Sequence, residues 1–256
     1  MDNKKLCITI LAGGLGKRMQ SPLPKVLQLV DGKPMIVKIL AEIEKINPYK
    51  LFIVVGQFKD VIDDTIKQYI DPAKINIEYA IQDIPKGTGH AVLCTLNLLD
   101  DFKINLIVNG DNPLLTTETM MSALTHFTNN GLQLQITAIE QDNPTGCGRI
   151  IITNDIFERI IEEKDCTDDQ KKIKLVNCGI YIISTPVLKR YIPLIENNNV
   201  QQEYYLTDIV EICKKSDSVN IGLFVIDKSK QLEVININTK DELDKLNNIL
   251  SKKIEK

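Results

Sequence analysis

Leu11-Ala-Gly-Gly-Leu-Gly-Lys-Arg-Met-Gln-Ser-Pro-Leu-Pro-Lys-Val-Leu27 follows directly on an apolar run, Leu6 to Leu11. That run reads as a buried strand. Gly13, Gly14 and Gly16 then let the backbone turn sharply and approach a ligand. Successive free N–H groups in such a turn form a concavity for anions. Lys17, Arg18 and Lys25 add three cations within nine residues, so the loop suits a polyphosphate. An ordinary glycine turn with solvated charges would share the spacing. Two other phosphate loops are excluded. A Walker loop needs glycine where Leu11 stands and Ser or Thr where Arg18 stands. A dinucleotide fingerprint needs glycine at Met19.

Outward from this loop, strand and helix signals alternate as far as residue 140. Strands are expected at Leu6–Leu11, Leu51–Val55, Ile75–Ile81, Ile104–Val108 and Leu132–Ile139. Helices are expected from Pro34 to about Lys45, over Phe58–Tyr69, from Thr88 to Leu99 and over Thr116–Asn129. The alternation predicts a parallel, doubly wound α/β sheet with helices on both faces. Ligands of such sheets sit beyond the carboxyl ends of the strands. The glycine loop, Gln82–Thr88 and Asn109–Asp111 each follow a strand and are expected to meet there. After residue 140 the pattern is less regular. Short strands are expected at Arg149–Ile152 and Phe157–Glu162, and a strong one at Leu175–Ile183. Helices follow at Pro186–Leu194 and Leu206–Lys215, and strands at Val219–Ile226 and Leu232–Ile237. Thr239-x-x-Glu242 is a capping box opening a last helix to about Lys252.

The chain has 256 residues and a net charge of −3, with a pI near 5.6. The length supports one broad domain. The charge argues against a nucleic-acid binder. No run approaches the roughly 20 apolar residues of a membrane span, and no signal-peptide pattern precedes the first strand. Six cysteines without a C-x-x-C pair read as reduced thiols, and the expected location is cytoplasmic. His90 and His126 lack ligand-like partners, which speaks against zinc. Asp111, at a strand end behind Gly110, suits a hard cation such as magnesium, which takes few protein ligands besides substrate phosphates. Asp-Asn-Pro is equally good turn chemistry. Gln82 offers an amide donor and acceptor that could pair with a base edge.

Leu11 to Lys25 resembles the signature of the nucleoside-diphosphate-sugar pyrophosphorylases, L-x-x-G-x-G-x-R-M followed by x-x-P-K. Its wording is most similar to that in the uridylyltransferase half of the bifunctional bacterial enzyme that makes UDP-N-acetylglucosamine. The resemblance continues in order along the chain. Gln82 to Ala91 is similar to Q-x-x-x-x-G-T-x-H-A, and Asn143 to Ile150 to D-P-T-G-Y-G-R-I, with Asn143 and Cys147 as departures. Ile161 to Gln170 matches V-E-x-K-D-A-T-D-E-Q, and Val176 to Ile180 matches I-N-T-G-I. Asn197 to Asp208 resembles N-N-N-A-Q-G-E-Y-Y-I-T-D, with Gln202 replacing glycine. Glu233 to Asn238 matches E-V-x-x-V-N.

The resemblance implies a Rossmann-like, doubly wound mixed sheet of the nucleotide-diphospho-sugar transferase (GT-A-like) fold. One domain, 1–256, would comprise a nucleotide-binding part to about 140, a smaller sugar-binding β part over about 141–238 and a C-terminal helix. No hexapeptide repeat of an acetyltransferase β-helix is present in the sequence, so uridylyl transfer without acetyl transfer is expected. Leu11, Ala12, Gly13, Gly14, Gly16, Gln82, Gly87 and Thr88 would bind UTP. Arg18 and Lys25 would be catalytic, neutralising phosphate charge. Asp111 and Asn238 would hold Mg²⁺. Gly148, Glu162, Asn177, Tyr205 and Thr207 would bind the sugar of N-acetylglucosamine-1-phosphate. The expected products are UDP-N-acetylglucosamine and pyrophosphate, with no nucleic-acid or membrane partner and a monomeric or small homo-oligomeric state. Alternatives are another sugar-1-phosphate nucleotidyltransferase, such as a glucose-1-phosphate uridylyl- or thymidylyltransferase, and a non-catalytic pyrophosphorylase-like regulatory subunit.

Overall fold

The structure is a computed structural model that describes residues 6–14, 16–99, 102–216 and 218–254. The decisive run forms β1 (Leu6–Leu11), as the sequence predicts. A two-stranded hairpin, β2 (Leu29–Val30) and β3 (Lys33–Pro34), leads into α1 (Met35–Ile46). The alternation then runs β4 (Lys50–Val55), α2 (Lys59–Tyr69), β5 (Ile77–Ile81), α3 (Thr88–Leu93), β6 (Ile104–Asn109), α4 (Thr117–Asn129) and β7 (Leu134–Glu140). The second part adds β8 (Arg149–Thr153), β9 (Ile156–Ile161), β10 (Leu175–Ser184), α5 (Thr185–Tyr191), α6 (Ile209–Lys214), β11 (Ile221–Ile226) and α7 (Lys240–Ile254).

The main sheet has the order β11-β7-β10-β6-β1-β4-β5, with the β8–β9 hairpin attached to β10. β1 runs parallel to both β4 and β6, and β4 runs parallel to β5. The chain winds outward from β1 through β4 to β5, then returns to place β6 on the other flank of β1. The carboxyl ends of β1 and β6, where Leu11 pairs with Asn109, are therefore the switch point at which such sheets form a crevice. The strictly parallel sheet read from the alternation is corrected: β10 is antiparallel to β6 and β7. The mixed sheet implied by the resemblance is what forms.

Side chains alternate across a strand, and β1 uses both faces. Leu6, Ile8 and Ile10 pack with Ile36, Leu40 and Ile43 of α1, Ile62 of α2 and Leu124 of α4. Cys7 packs on the other face with Val92 of α3, Leu188 of α5 and Ile209 of α6. Both layers are needed because every residue of Leu6–Ile10 is buried. A third cluster joins Met19 of the glycine loop to Met35, Ile237 and Leu243 and Leu246 of α7.

Several expectations shift, among them the helix expected at Pro186–Leu194, which ends at Tyr191 and continues as a 3-10 turn. The expected strand Leu232–Ile237 is a 3-10 helix over Lys228–Val234, followed by extended chain. Asp227 begins that turn by accepting from the Ser229 amide at 2.8 Å. The following chain crosses the strand ends, where the Ile237 amide donates to the Asp111 carbonyl at 3.1 Å. The helix expected to reach Leu99 ends at Leu93 and resumes as a 3-10 turn at Leu96–Leu98. The helix expected at Leu206–Lys215 opens as a 3-10 turn, Leu206–Asp208, before α6. The capping box forms as read: Glu242 accepts from the Thr239 amide at 3.0 Å, and the Glu242 amide donates to Thr239 Oγ1 at 3.2 Å.

Candidate active site

A cleft of about 550 Å³ opens at the switch point. Its floor is the end of β1 and the start of the glycine loop, Leu11 to Gly14. The loop is held from both sides. The Ala12 amide donates to Val54 O and the Gly110 amide to Leu11 O, each at 2.9 Å. Gly16 has φ +61°, and a Cβ there would stand 2.8 Å from Lys25 Cβ, so only glycine lets the loop close on the following segment. A Cβ on Gly14 would meet nothing within 4 Å, which leaves that face of the loop open to a ligand.

Lys25, Asp111 and Asn238 come together from three distant parts of the chain. The Lys25 ammonium donates to Asp111 Oδ2 and, at 3.0 Å, to Asn238 Oδ1. Arg18 Nη2 donates to the same Asn238 oxygen at 3.4 Å. Asp111 is 7% exposed, and its Oδ1 is buried with no hydrogen-bond partner among the described residues. An unsatisfied buried carboxylate oxygen calls for a cation or donor. Asp111 and Asn238 offer hard oxygen donors, and among the described residues no group of three or more His, Cys, Asp or Glu side chains is placed to hold a metal ion. A pair of protein oxygens completed by substrate phosphates is how magnesium is commonly held, so the donor set fits that ion.

Gln82 stands on the opposite wall, 5% exposed, with its Nε2 donating to the Gly87 carbonyl at 3.0 Å. Gly87 has φ +108°, and a Cβ there would lie 2.5 Å from Tyr204 O; no other residue fits. Thr88 opens α3, and its Oγ1 accepts from the Leu206 amide at 3.0 Å. The 204–206 segment thus braces the Gln82–Thr88 loop.

A smaller cavity of about 160 Å³ adjoins the cleft and shares Leu11, Thr88, Asn109 and Asn236 with it. Gly148, Glu162 and Asn177 line it. A Cβ on Gly148 would meet Ile160 at 2.9 Å and both Glu162 carboxylate oxygens at 3.5 Å, so any side chain there fills the space. Burial pushes the Glu162 carboxyl above its ordinary range, and Asp208, Asp165 and Glu203 add to the effect. Thr207 Oγ1 opposes it by donating to Glu162 Oε1 at 3.1 Å. Asn177 is fixed at both ends: its Oδ1 accepts from the Gly179 amide at 3.0 Å, and its Nδ2 donates to Tyr181 OH at 2.7 Å.

Of the residues singled out in the sequence, Leu11, Ala12, Gly13, Gly14, Lys25, Gln82, Gly87, Thr88, Asp111 and Asn238 line the larger cleft. Gly16 shapes the loop from behind. Arg18 is exposed and sits over Asn238 outside that lining. The Lys17 side chain lies outside the described part of the structure. Tyr205 and Thr207 are buried and do not line the smaller cavity; Thr207 meets Glu162, which does. Among the lining residues that the sequence reading gave no role are Asn109 and Asn236. Asn109 Nδ2 donates to Asn236 Oδ1 at 3.4 Å, where the two cavities meet. Asn236 lies two residues before Asn238 on extended chain, a spacing that shares one face, and Asn109 is the last residue of β6. Both signals were in the sequence.

Residues 8–229 match the family described as nucleotidyl transferase. The chain belongs to the nucleotidyl transferase family. It is 49% identical over 247 residues to a protein of Acanthamoeba polyphaga mimivirus named "Probable UDP-N-acetylglucosamine pyrophosphorylase", covering 96% of each chain. It is 36% identical over 251 residues to the bifunctional protein GlmU of Thermoanaerobacter pseudethanolicus, covering 97% of this chain and 52% of the relative. The chain thus spans about half the length of that bifunctional relative. Among solved structures, a putative glucose-1-phosphate thymidylyltransferase of Bacillus anthracis superposes with a TM-score of 0.73 at 19% identity, covering 95% of this chain and 94% of that one. The 4-diphosphocytidyl-2C-methyl-D-erythritol synthase of Anaerococcus prevotii superposes with a TM-score of 0.67 at 17% identity, covering 98% of this chain and 100% of that one. These two likenesses fix the fold, a nucleotide-diphospho-sugar transferase sheet. In this nucleotidyl transferase, no helix among the described residues is long and apolar enough to cross a membrane.

Proposed function

We propose that the protein is a UTP:N-acetylglucosamine-1-phosphate uridylyltransferase, releasing pyrophosphate and forming UDP-N-acetylglucosamine. The observation that carries this is the pairing of two cavities across Leu11 and Asn109. One is lined by glycine-loop backbone, Lys25 and Gln82, the other by Gly148, Glu162 and Asn177. The name of the mimivirus relative points to the same product.

The attacking group is a phosphate oxygen of the sugar phosphate. It is already ionised near pH 7, so no general base is required. The α-phosphorus of UTP accepts it in line, and pyrophosphate departs. What the chain supplies is positioning and charge neutralisation. Glycine-loop amides hold the triphosphate, Arg18 takes the outer phosphates, and Lys25 faces the α-phosphate. Gln82 meets the uracil edge. Glu162 accepts hydrogen bonds from sugar hydroxyls, kept in place by Thr207. Asp111 and Asn238 would hold Mg²⁺, which when bound supplies charge neutralisation between the two substrates' phosphates.

The test is pyrophosphate release from UTP with magnesium, comparing N-acetylglucosamine-1-phosphate with glucose-1-phosphate. Release confined to the acetylated sugar supports the reading. Equal release with glucose-1-phosphate overturns the sugar assignment. No release with either, from folded protein that binds UTP, points to a regulatory subunit. Asp111→Ala should lower turnover several hundred-fold, on the order of one preorganised electrostatic contact; more than half the activity retained would remove Asp111 from the machinery.

A further inference from the structure

Gln82 can read a base only if its amide has a fixed direction, since its two ends present opposite hydrogen-bonding character. Two contacts set that direction. Nε2 lies 3.0 Å from the Gly87 carbonyl and 3.0 Å from His90 Nδ1. A carbonyl only accepts, so the end facing Gly87 is the NH₂. Its second proton then points at His90, whose Nδ1 must be bare, with the proton on Nε2. Oε1 is left on the other side. It accepts no hydrogen bond from the described residues and lies beside Gly13, 3.0 Å from where a Cβ there would stand. His90 is held by α3 and by the Tyr204 ring, 6.2 Å between centroids.

The chain's other histidine shows the opposite arrangement. His126 Nδ1 is 2.8 Å from Gln135 Oε1, and Gln135 Nε2 is committed to the Ala123 carbonyl at 2.9 Å. His126 must therefore carry its proton on Nδ1. The sequence has two histidines, so each tautomer is an internal reference for the other.

We propose that His90 is a positioning residue for base recognition: its bare Nδ1 locks the Gln82 amide with Oε1 turned toward the cleft, selecting a pyrimidine that carries N3–H over cytosine. This rests on the uridylyl reading above. Uracil donates from N3, so an acceptor-only oxygen pairs with it. Cytosine presents a lone pair at N3, which opposes Oε1. Flipping the amide to suit cytosine would set Oε1 against the Gly87 carbonyl oxygen and leave Nδ1 without a donor.

The test compares kcat/KM for UTP and CTP in the wild type, His90→Leu and His90→Asn, each checked for folding by thermal melting. Asparagine Oδ1 can occupy the place of Nδ1 and accept the same proton. In His90→Leu the UTP-to-CTP ratio should fall about tenfold, mostly through a higher KM for UTP, the order expected when a buried amide loses a partner. His90→Asn should restore the ratio to within about threefold. Two-bond ¹⁵N–¹H spectra of the wild-type protein should show one histidine protonated at Nε2 and one at Nδ1. An unchanged ratio in folded His90→Leu, or both histidines protonated at Nδ1, overturns the proposal. Wild-type protein inert toward both triphosphates would refute the proposed activity, and the spectra would still decide the lock.

Discussion

Lys25→Met should destabilise the fold, and the loss should be recovered by neutralising Asp111. Among the described residues Lys25 is the one cation bonded to the Asp111 carboxylate, and Oδ1 has no hydrogen-bond partner there. Met keeps the length of the side chain and removes the charge. Breaking a fully buried pair by removing one partner costs about 3–5 kcal/mol. The Lys25 and Asp111 side chains are 17% and 10% exposed, so water relieves part of that, and about 2–3 kcal/mol is expected. For a chain of this size that is a fall of roughly 4–12 °C in melting temperature. A double-mutant cycle with Asp111→Asn isolates the pair. The double variant should melt well above Lys25→Met alone, because the uncompensated carboxylate is gone. Melts at low ionic strength without divalent ions read the effect, and adding magnesium should raise the melting temperature of Lys25→Met more than that of the wild type. A drop under about 1 °C for Lys25→Met, with additive single variants, would refute the pairing and with it the reading of Asp111 as a carboxylate in need of a cation.

Glu162→Gln should raise the KM for the sugar phosphate about tenfold while leaving the KM for UTP unchanged, since Glu162 lines only the smaller cavity; steady-state kinetics with each substrate varied in turn would contradict this if both constants moved together. Gly179→Ala combines a φ of +72° with a Cβ placed 2.2 Å from Asn109 Nδ2, so it should cost about 1–3 kcal/mol and weaken both substrates; an undiminished melting temperature would argue that Asn109 yields freely. Asp208 has its pKa raised to about 6, first by burial and then by Glu211 and Asp165. A raised carboxyl pKa means stability that is full below its unfolded value near 4 and is lost as pH rises through 6. Asp208→Asn should therefore melt with the wild type at pH 4 and above it at pH 8, and equal melting at pH 8 would count against a half-buried, crowded Asp208.

The first half of the sheet was legible because its signals are local. β1, the glycine turn and Asn109-Gly110-Asp111 are each set by a few adjacent residues, and right-handed βαβ winding then carries the strand ends to one rim. The direction of β10 was not legible from the alternation. Antiparallel pairing depends on what the chain does after residue 140, and an apolar run such as Leu175–Ile183 reads the same in either direction. Leu232–Ile237 misled for a related reason: apolar alternation describes any extended chain with one buried face. Val234 and Ile237 are buried as a strand's residues would be, but their segment crosses the strand ends instead of joining the sheet. Tyr205 and Thr207 were placed at the sugar by resemblance. The structure buries both outside the lining of the smaller cavity, which Leu206 between them reaches and which Thr207 borders only through its hydrogen bond to Glu162.

The antiparallel run of β10 is what puts the two cavities side by side. A strand parallel to β6 would begin at the far rim and bring only its last residues to the crevice. Reversed, β10 enters at the crevice: Asn177 pairs with Ala138 near the end of β7, and the register shifts before Tyr181 reaches Ile107 of β6. Gly179 lies within that irregularity with its left-handed backbone, and the missing side chain is where the Asn109 amide rests. The same turn gives Asn177 its amide partner and lets Asn109 reach across to Asn236. Asn236 and Asn238 arrive on one extended segment, anchored by Ile237 beneath the glycine loop and by α7. On the proposed reading, the partition between nucleotide and sugar depends on pieces from the middle and the far end of the chain, while the cations assigned to the phosphates, Arg18 and Lys25, come from the first 25 residues. Replacing the glycine loop in a relative's scaffold would move phosphate affinity with it, but sugar choice should stay with the β10 bulge and its asparagines.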